Sequence, residues 1–260
     1  LVRAYLAARA MSVEGGMAAA SLAQDYANAD WYPALPYFAT LTDATAVAAA
    51  HLKQRVDVRY SALFMLATWL NDANPQHRWH SEVMRRLAQV MLTTHTPEEL
   101  RGQALALLVA TQDENVNKLL AQTLASNDPI ARQLASIGLG AIGEVKAVPK
   151  LVDLTRDSHR NVRFAASLAL GLLGSDDALD ALGSLLTDAE GDLPTMAALG
   201  LSLNRTEGFA MLRDGLKIES VRARRASALA VLRLRDQELP WLLDAVTERV
   251  MQDSDWMVRA

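Results

Sequence analysis

The sequence contains no cysteine, which excludes disulfides, thiolate catalysis and cysteine-ligated zinc and allows a reducing compartment. Aromatic residues fill only 5% of the 260 positions, whereas apolar residues fill 51%. A core poor in rings and rich in Ala and Leu suits closely packed helices, because strands draw on Val, Ile, Thr and aromatics. No apolar run reaches the ~20 residues of a transmembrane helix. The first ten residues carry Arg3 and Arg9 among their apolar side chains, so no secretory leader is visible there. Nor is there an excess of basic residues: the net charge is −4 and the pI is near 5.8. That balance argues against nonspecific binding to nucleic acid or to an anionic membrane. These absences point to a cytoplasmic, all-α protein.

What is present is one pattern written twice between Asn127 and Gly174. Arg132 and Arg163 stand 31 residues apart, as do Ala135 and Ala166, Leu139 and Leu170, Gly140 and Gly171, and Gly143 and Gly174. A period of about 30 residues, each unit holding two short amphipathic helices, predicts a stacked helical repeat. Asp128-Pro129 caps and starts one first helix, and Val148-Pro149 starts its second. Thr96-Pro97-Glu98-Glu99 has the form of a helix start with Thr as N-cap, and Arg101 lies 31 residues before Arg132. Residues 191–219 read as a degenerate copy, with Ala197 and Ala198 at the small positions and Pro194 where Arg is expected. Arg224 marks a further copy.

Three sections follow from this register. Residues 1–56 are irregular and aromatic-rich, 57–95 form a drifted repeat in which Val58-Arg59 opens an apolar helix to Leu70 before a long loop at 71–80, and 96–260 are regular repeats within a single solenoid. Ten of the fourteen aromatic residues lie in the first 80 positions. Asp255–Ala260 opens one more unit without completing it. The expectation is a chain that continues beyond this stretch, leaving Leu242, Leu243 and Val246 without a covering neighbour.

The pattern Val162-Arg163-x-x-Ala166-x-Leu168-Ala169-Leu170-Gly171-x-Leu173-Gly174 resembles the HEAT repeat, and is similar to the bacterial HEAT-like variety of the phycobilin lyases. The resemblance implies a right-handed α-solenoid of about six to eight antiparallel helix pairs, with first helices on the convex side and second helices lining the concave side. It also places the arginine series at unit junctions. That series is Arg59, Arg101, Arg132, Arg163 and Arg224, with Arg259 opening the unfinished unit. Asp57, Asp128 and Asp157 sit just before several of these arginines. A bidentate Arg–Asp pair between neighbouring units would hold their register. The small residues Ala135, Ala166 and Ala198 are expected where neighbouring helices approach closely. The glycine pairs at first-helix ends are expected to take left-handed cap geometry.

The remaining motifs have plain structural readings. Gly138-Leu139-Gly140-Ala141-Ile142-Gly143 matches the dinucleotide fingerprint G-x-G-x-x-G, but it ends a helix instead of following a strand. His77 and His80, with Asp72 and Glu82, are placed in a solvated loop without a His-Glu-x-x-His helix. His51, His95 and His159 are scattered and support no triad. No catalytic residue, cofactor or metal site is expected.

Two groups of residues are candidates for binding a partner. Trp31, Tyr32, Tyr37 and Phe38 form an aromatic cluster that either plugs the end of the stack or supplies anchors for a partner. Lys118, Gln122, Lys150, Asp153, Asp180, Arg213 and Asp214, on the second helices, should face the concave groove. Their mixed signs fit a protein better than a nucleic acid, which needs a basic stripe. The expected role is a non-catalytic scaffold or recognition arm binding another protein or other domains of a longer chain, such as the sensor arm of a signalling ATPase. The resemblance leaves two rivals, a subunit similar to the phycobilin lyases and a nucleic-acid binder similar to the HEAT-like DNA glycosylases.

Overall fold

Caps, prolines and glycines punctuate the apolar stretches, and the intervals between them are helices. The computed structural model describes residues 2–14, 33–53, 58–70, 78–188, 191–233, 244, 247 and 251–259. Among the described residues there are fifteen α-helices and no strand. They are α1 (Val2–Glu14), α2 (Leu35–Leu41), α3 (Thr45–Lys53), α4 (Ser61–Ala67), α5 (Arg78–Leu92), α6 (Glu98–Ala110), α7 (Glu114–Thr123), α8 (Pro129–Ile142), α9 (Val148–Leu154), α10 (Arg160–Leu173), α11 (Asp176–Thr187), α12 (Leu193–Leu201), α13 (Glu207–Gly215), α14 (Val221–Leu232) and α15 (Trp256–Arg259). No helix among them is long and apolar enough to cross a membrane. The chain forms two compact units, Leu1–Asp113 and Glu114–Ala260, each described separately below.

In the second unit the helices form two layers. First helices stack in the order α8, α10, α12, α14, and second helices in the order α9, α11, α13. The local chemistry of α8 shows how the sequence makes a first helix. Asp128 accepts a hydrogen bond from the Ile130 amide at 3.0 Å, Pro129 opens the first turn, and Gly143 closes the helix at φ 81°. The Gly143 and Glu144 amides then satisfy the Leu139 carbonyl at 3.1 and 3.0 Å. Gly174 ends α10 in the same left-handed conformation, at φ 58°. Between the caps, Ala131, Leu134, Ala135 and Leu139 are buried, as are Val162, Ala166, Ala169 and Leu170 one period later. The degenerate copy keeps its place in the stack, with Pro194 buried in the first turn of α12.

The first glycine of each pair serves a different purpose from the one expected. Gly140 and Gly171 lie inside their helices, and only Gly143 and Gly174 are left-handed. A Cβ on Gly171 would stand 2.0 Å from the Gly200 carbonyl oxygen of α12, and one on Gly140 would stand 2.7 Å from Ala169 Cα of α10. These glycines let successive first helices touch backbone to backbone.

In the first unit α5 packs on α4 and α6, and α1 packs on α2. Its core holds Trp69, Trp79, Leu66, Leu87, Met91 and Leu108. Two expectations are corrected here. The helix read from Val58 begins at Ser61, because Tyr60 is left-handed at φ 54°. At 96–99 the N-cap is Pro97, with no side-chain cap bond, and Thr96 is buried before it. Pro97 itself holds the non-helical φ −53°, ψ 142°, so the helix starts one residue after the Thr-Pro pair.

Candidate functional site

The arginine series divides into two groups. In the second unit Arg132 reaches the two oxygens of Asp157 through Nε and Nη2 at 2.8 and 3.0 Å. Arg163 holds Asp192 in the same way at 3.1 and 2.8 Å. Arg224 holds Asp253 at 2.7 and 3.1 Å. In each case the carboxylate comes from the start of the next unit, so the pair fastens neighbours. The third nitrogen, Nη1, donates to the carbonyl six residues upstream: Ser126 for Arg132 at 2.7 Å, Asp157 for Arg163 at 3.0 Å and Ile218 for Arg224 at 3.0 Å. Arg259 makes the same bond to the Asp253 carbonyl. One guanidinium thus satisfies the turn before its own helix and the carboxylate after it, a use of the planar fork that lysine lacks.

The electrostatics follow the geometry. Burial pushes the Asp157 carboxyl up, but Arg132 and the His159 amide outweigh it and hold Asp157 below the usual carboxylate range. Arg163 does the same for Asp192, and Arg225 for Asp255. Asp128 is a helix cap, as noted above.

The first unit does not repeat this arrangement. Arg101 is fully buried and donates from Nε to the Met91 carbonyl at 2.7 Å, closing the end of α5. Arg59 is exposed in the turn before α4, not in the first turn of a helix, because left-handed Tyr60 delays the helix. Asp57 lies outside the described residues.

Asp192, Asp253 and the second pair Arg225–Asp255 were not singled out from the sequence. A signal for one of them exists: Asp157-Ser158-x-x-x-Val162-Arg163 recurs as Asp253-Ser254-x-x-x-Val258-Arg259. Where Pro194 replaces the arginine, Ile218 stands at the corresponding position six residues before Arg224. Arginine and carboxylate are lost together.

Of the aromatic candidates, Phe38 is in the core at 1% exposure, so it presents no surface. Tyr37 is half-buried and stacks edge-on against Tyr5 at 6.1 Å. Trp31 and Tyr32 lie outside the described residues, as do His77, Asp72, Leu242, Leu243 and Val246. His80 belongs to the first turn of α5 and is buried beside Trp79 instead of lying in a loop. Glu82 pairs with Arg85 and Arg86, which hold its carboxyl down at about 2. Among the described residues no group of three or more His, Asp or Glu could hold a metal.

The polar candidates stand where the helical period puts them. Lys118 on α7, Lys150 and Asp153 on α9, Asp180 on α11 and Asp214 on α13 are exposed, as is Gln122, and Arg213 is partly so. Lys150 Nζ reaches the Ala121 carbonyl at 3.5 Å, and Arg213 Nε meets Asp214 at 3.0 Å. No described residue of α7, α9, α11 or α13 is an exposed large apolar side chain. The first helices differ in this respect: Phe164, Leu172, Val221, Leu229 and Leu232 are exposed on α10 and α14, with Leu203 just after α12.

The model of HEAT repeats matches residues 84–160 and 116–202. Residues 84–202 carry HEAT repeats. No curated protein matches it by sequence. Its helical architecture is similar to that of several solved structures. The Escherichia coli protein YibA is 17% identical, with 97% of this chain and 82% of that one covered and a TM-score of 0.41. The CpcE–CpcF complex of phycocyanin lyase from a Nostoc species is 19% identical, covering 83% and 91%, with a TM-score of 0.46. Human deoxyhypusine hydroxylase is 17% identical, covering 88% and 86%, with a TM-score of 0.32. The HEAT match spans α8, α10 and α12 and two of the three Arg–Asp fasteners.

Proposed function

We propose that this chain is a non-catalytic scaffold or recognition arm that binds another protein along its second helices. The observation that carries this reading is the row of exposed charges of both signs on α7, α9, α11 and α13: Lys118, Lys150, Asp153, Asp180, Arg213 and Asp214. Charge of mixed sign offers register and partner choice to a protein surface, whereas a polyanion needs one sign throughout. Stacked repeats expose such a surface over several units at once. The Arg–Asp fasteners keep successive helices in fixed register, so the charges are spaced before any partner arrives. A chain without cysteine tolerates a reducing compartment, and we place its work in the cytoplasm.

The test uses photo-crosslinking residues at positions 118 and 153, with the captured protein then purified and titrated directly. The double charge reversal Lys118→Glu with Lys150→Glu should weaken that partner by about tenfold or more while leaving the melting temperature in place. Undiminished affinity in the reversed protein would overturn the assignment to this face.

A further inference from the structure

The outer face of the first helices carries a feature that the second helices lack. Phe164, Leu168 and Leu172 are four residues apart on α10 and form one ridge. Thirty-one residues later the same ridge holds Thr195, Leu199 and Leu203, and on α14 it holds Arg225 and Leu229 with Leu232 beside it. Because α10, α12 and α14 pack side by side, equal repeat positions become rows across the stack. One row is Leu168, Leu199 and Leu229; the next holds Leu172 and Leu203, and α14 meets it with Leu232 followed by Arg233. Phe164 is 37% exposed and Leu232 68%, with Leu172, Leu203 and Leu229 in between. Single exposed leucines are ordinary, but an aligned row of three beside Leu172, Leu203 and the neighbouring Leu232 forms an apolar patch.

The charged side chains of the first helices themselves have one sign. Helices α10, α12 and α14 contain no Asp, Glu or Lys, but five arginines. The carboxylates that meet this edge come from the turns, and they are the less exposed partners. Arg160 is 68% exposed against 27% for Asp192, and Arg225 is 39% exposed against 14% for Asp255. Solvent therefore meets guanidinium along the edge, and Arg233 is exposed at the opposite end of α14, in register with Leu172 and Leu203. Neighbouring helix axes lie about 8–10 Å apart, and an α-helix advances ~10.5 Å in seven residues. Apolar residues seven apart on a helix lying across the stack would fall on successive members of one row.

We infer that this face is a second docking surface, distinct from the second-helix face, and that its occupant is an amphipathic helix of a partner protein with acidic residues flanking its apolar stripe. Leucines of that helix cover the rows, and its carboxylates take the outward N–H groups of Arg160, Arg225 and Arg233 as bidentate donors. A protein helix is favoured over an anionic bilayer. The edge is built from ion pairs with little net charge to hold a charged plane, yet with directional donors for individual carboxylates.

The experiment titrates the 260-residue chain into a fluorescein-labelled peptide helix with a leucine stripe and glutamate flanks, into its twin with lysine flanks, and into phosphatidylserine–phosphatidylcholine vesicles. The glutamate peptide should bind about tenfold or more tighter than the lysine twin, and more weakly as salt rises. Leu172→Asp with Leu229→Asp should reduce its binding by a similar factor. Arg160→Glu with Arg233→Glu, which leaves the apolar rows intact, should reverse the preference between the twins. The inference is overturned by equal binding of both peptides or of neither, or by binding confined to vesicles. Self-association that the leucine variants abolish would overturn it too, as would peptide binding lost only in the Lys118→Glu, Lys150→Glu protein. That last variant separates the two faces, so either surface can fail without the other.

Discussion

At the scale of the residue, the informative group is the buried guanidinium. Arg224 is 6% exposed and its partner Asp253 is fully buried. Truncating Arg224 takes the guanidinium from the Asp253 carboxylate and from the Ile218 and Glu219 carbonyls. Arg224→Ala should therefore cost about 3–5 kcal/mol, the range for breaking a buried pair. Arg163 and Asp192 are 20% and 27% exposed, so water can replace part of what is lost. Arg163→Ala should cost less, about 1–3 kcal/mol. Thermal melts followed by circular dichroism should rank the two variants in that order. Arg224→Lys should not restore stability, since an ammonium cannot serve the carboxylate side-on and two upstream carbonyls together.

At the scale of the element, the spacing of first helices rests on what is absent from their contact line. Gly171 faces the Gly200 carbonyl so closely that any Cβ would enter it. Gly171→Ala should force α10 and α12 apart and cost about 1–3 kcal/mol, as overpacking does. Gly102 is the internal control: it lies within α6, and a Cβ there meets nothing within 4 Å. Gly102→Ala should stabilise by about 0.5–1 kcal/mol, because alanine loses less backbone freedom on entering a helix. Urea unfolding of both variants would test the distinction. Equal effects would show that the helices approach less closely than the structure places them. Ala135, Ala166 and Ala198 are likewise buried in the first helices.

At the scale of the whole molecule, acid should act in two windows, and the upper one belongs to the first unit. Asp157, Asp192 and Asp255, all in the second unit, have carboxyls held below the ordinary value of 3.8 by arginine. Their contribution is present above that value and is lost as pH falls through the lower folded-state pKa. In the first unit, burial holds His51 below the ordinary 6.5. Between 6.5 and its folded pKa the unfolded chain binds the extra proton, so this contribution declines as soon as pH drops below 6.5. The ring sits edge-on to Trp69 at 6.1 Å, which lets tryptophan fluorescence follow the event. Urea melts across the pH range should show stability falling first through fluorescence, from about pH 6.5, with a second decline below about pH 4. His51→Asn should flatten the upper step only.

Much of this architecture is legible in one dimension because its causes are local. Asp128, Pro129 and Gly143 bound a helix through bonds spanning two to five residues. A 31-residue recurrence of small and large apolar positions is enough to predict paired helices. What the sequence alone determines about this protein is therefore the helical content, the register of the repeats and the ends of most first helices. Tertiary structure decided the matters that depend on which neighbour arrives. Asp192 lies 29 residues from Arg163, farther than any local rule reaches, and was found only when α12 stacked on α10. Gly171 looks like half of a cap pair until Gly200 is placed against it. Phe38 and Phe164 are equally apolar in sequence; one is buried by its neighbours and the other is left on an outer face. Burial belongs to the packing partner and not to the residue. The leucine rows became a surface only when three separate helices aligned.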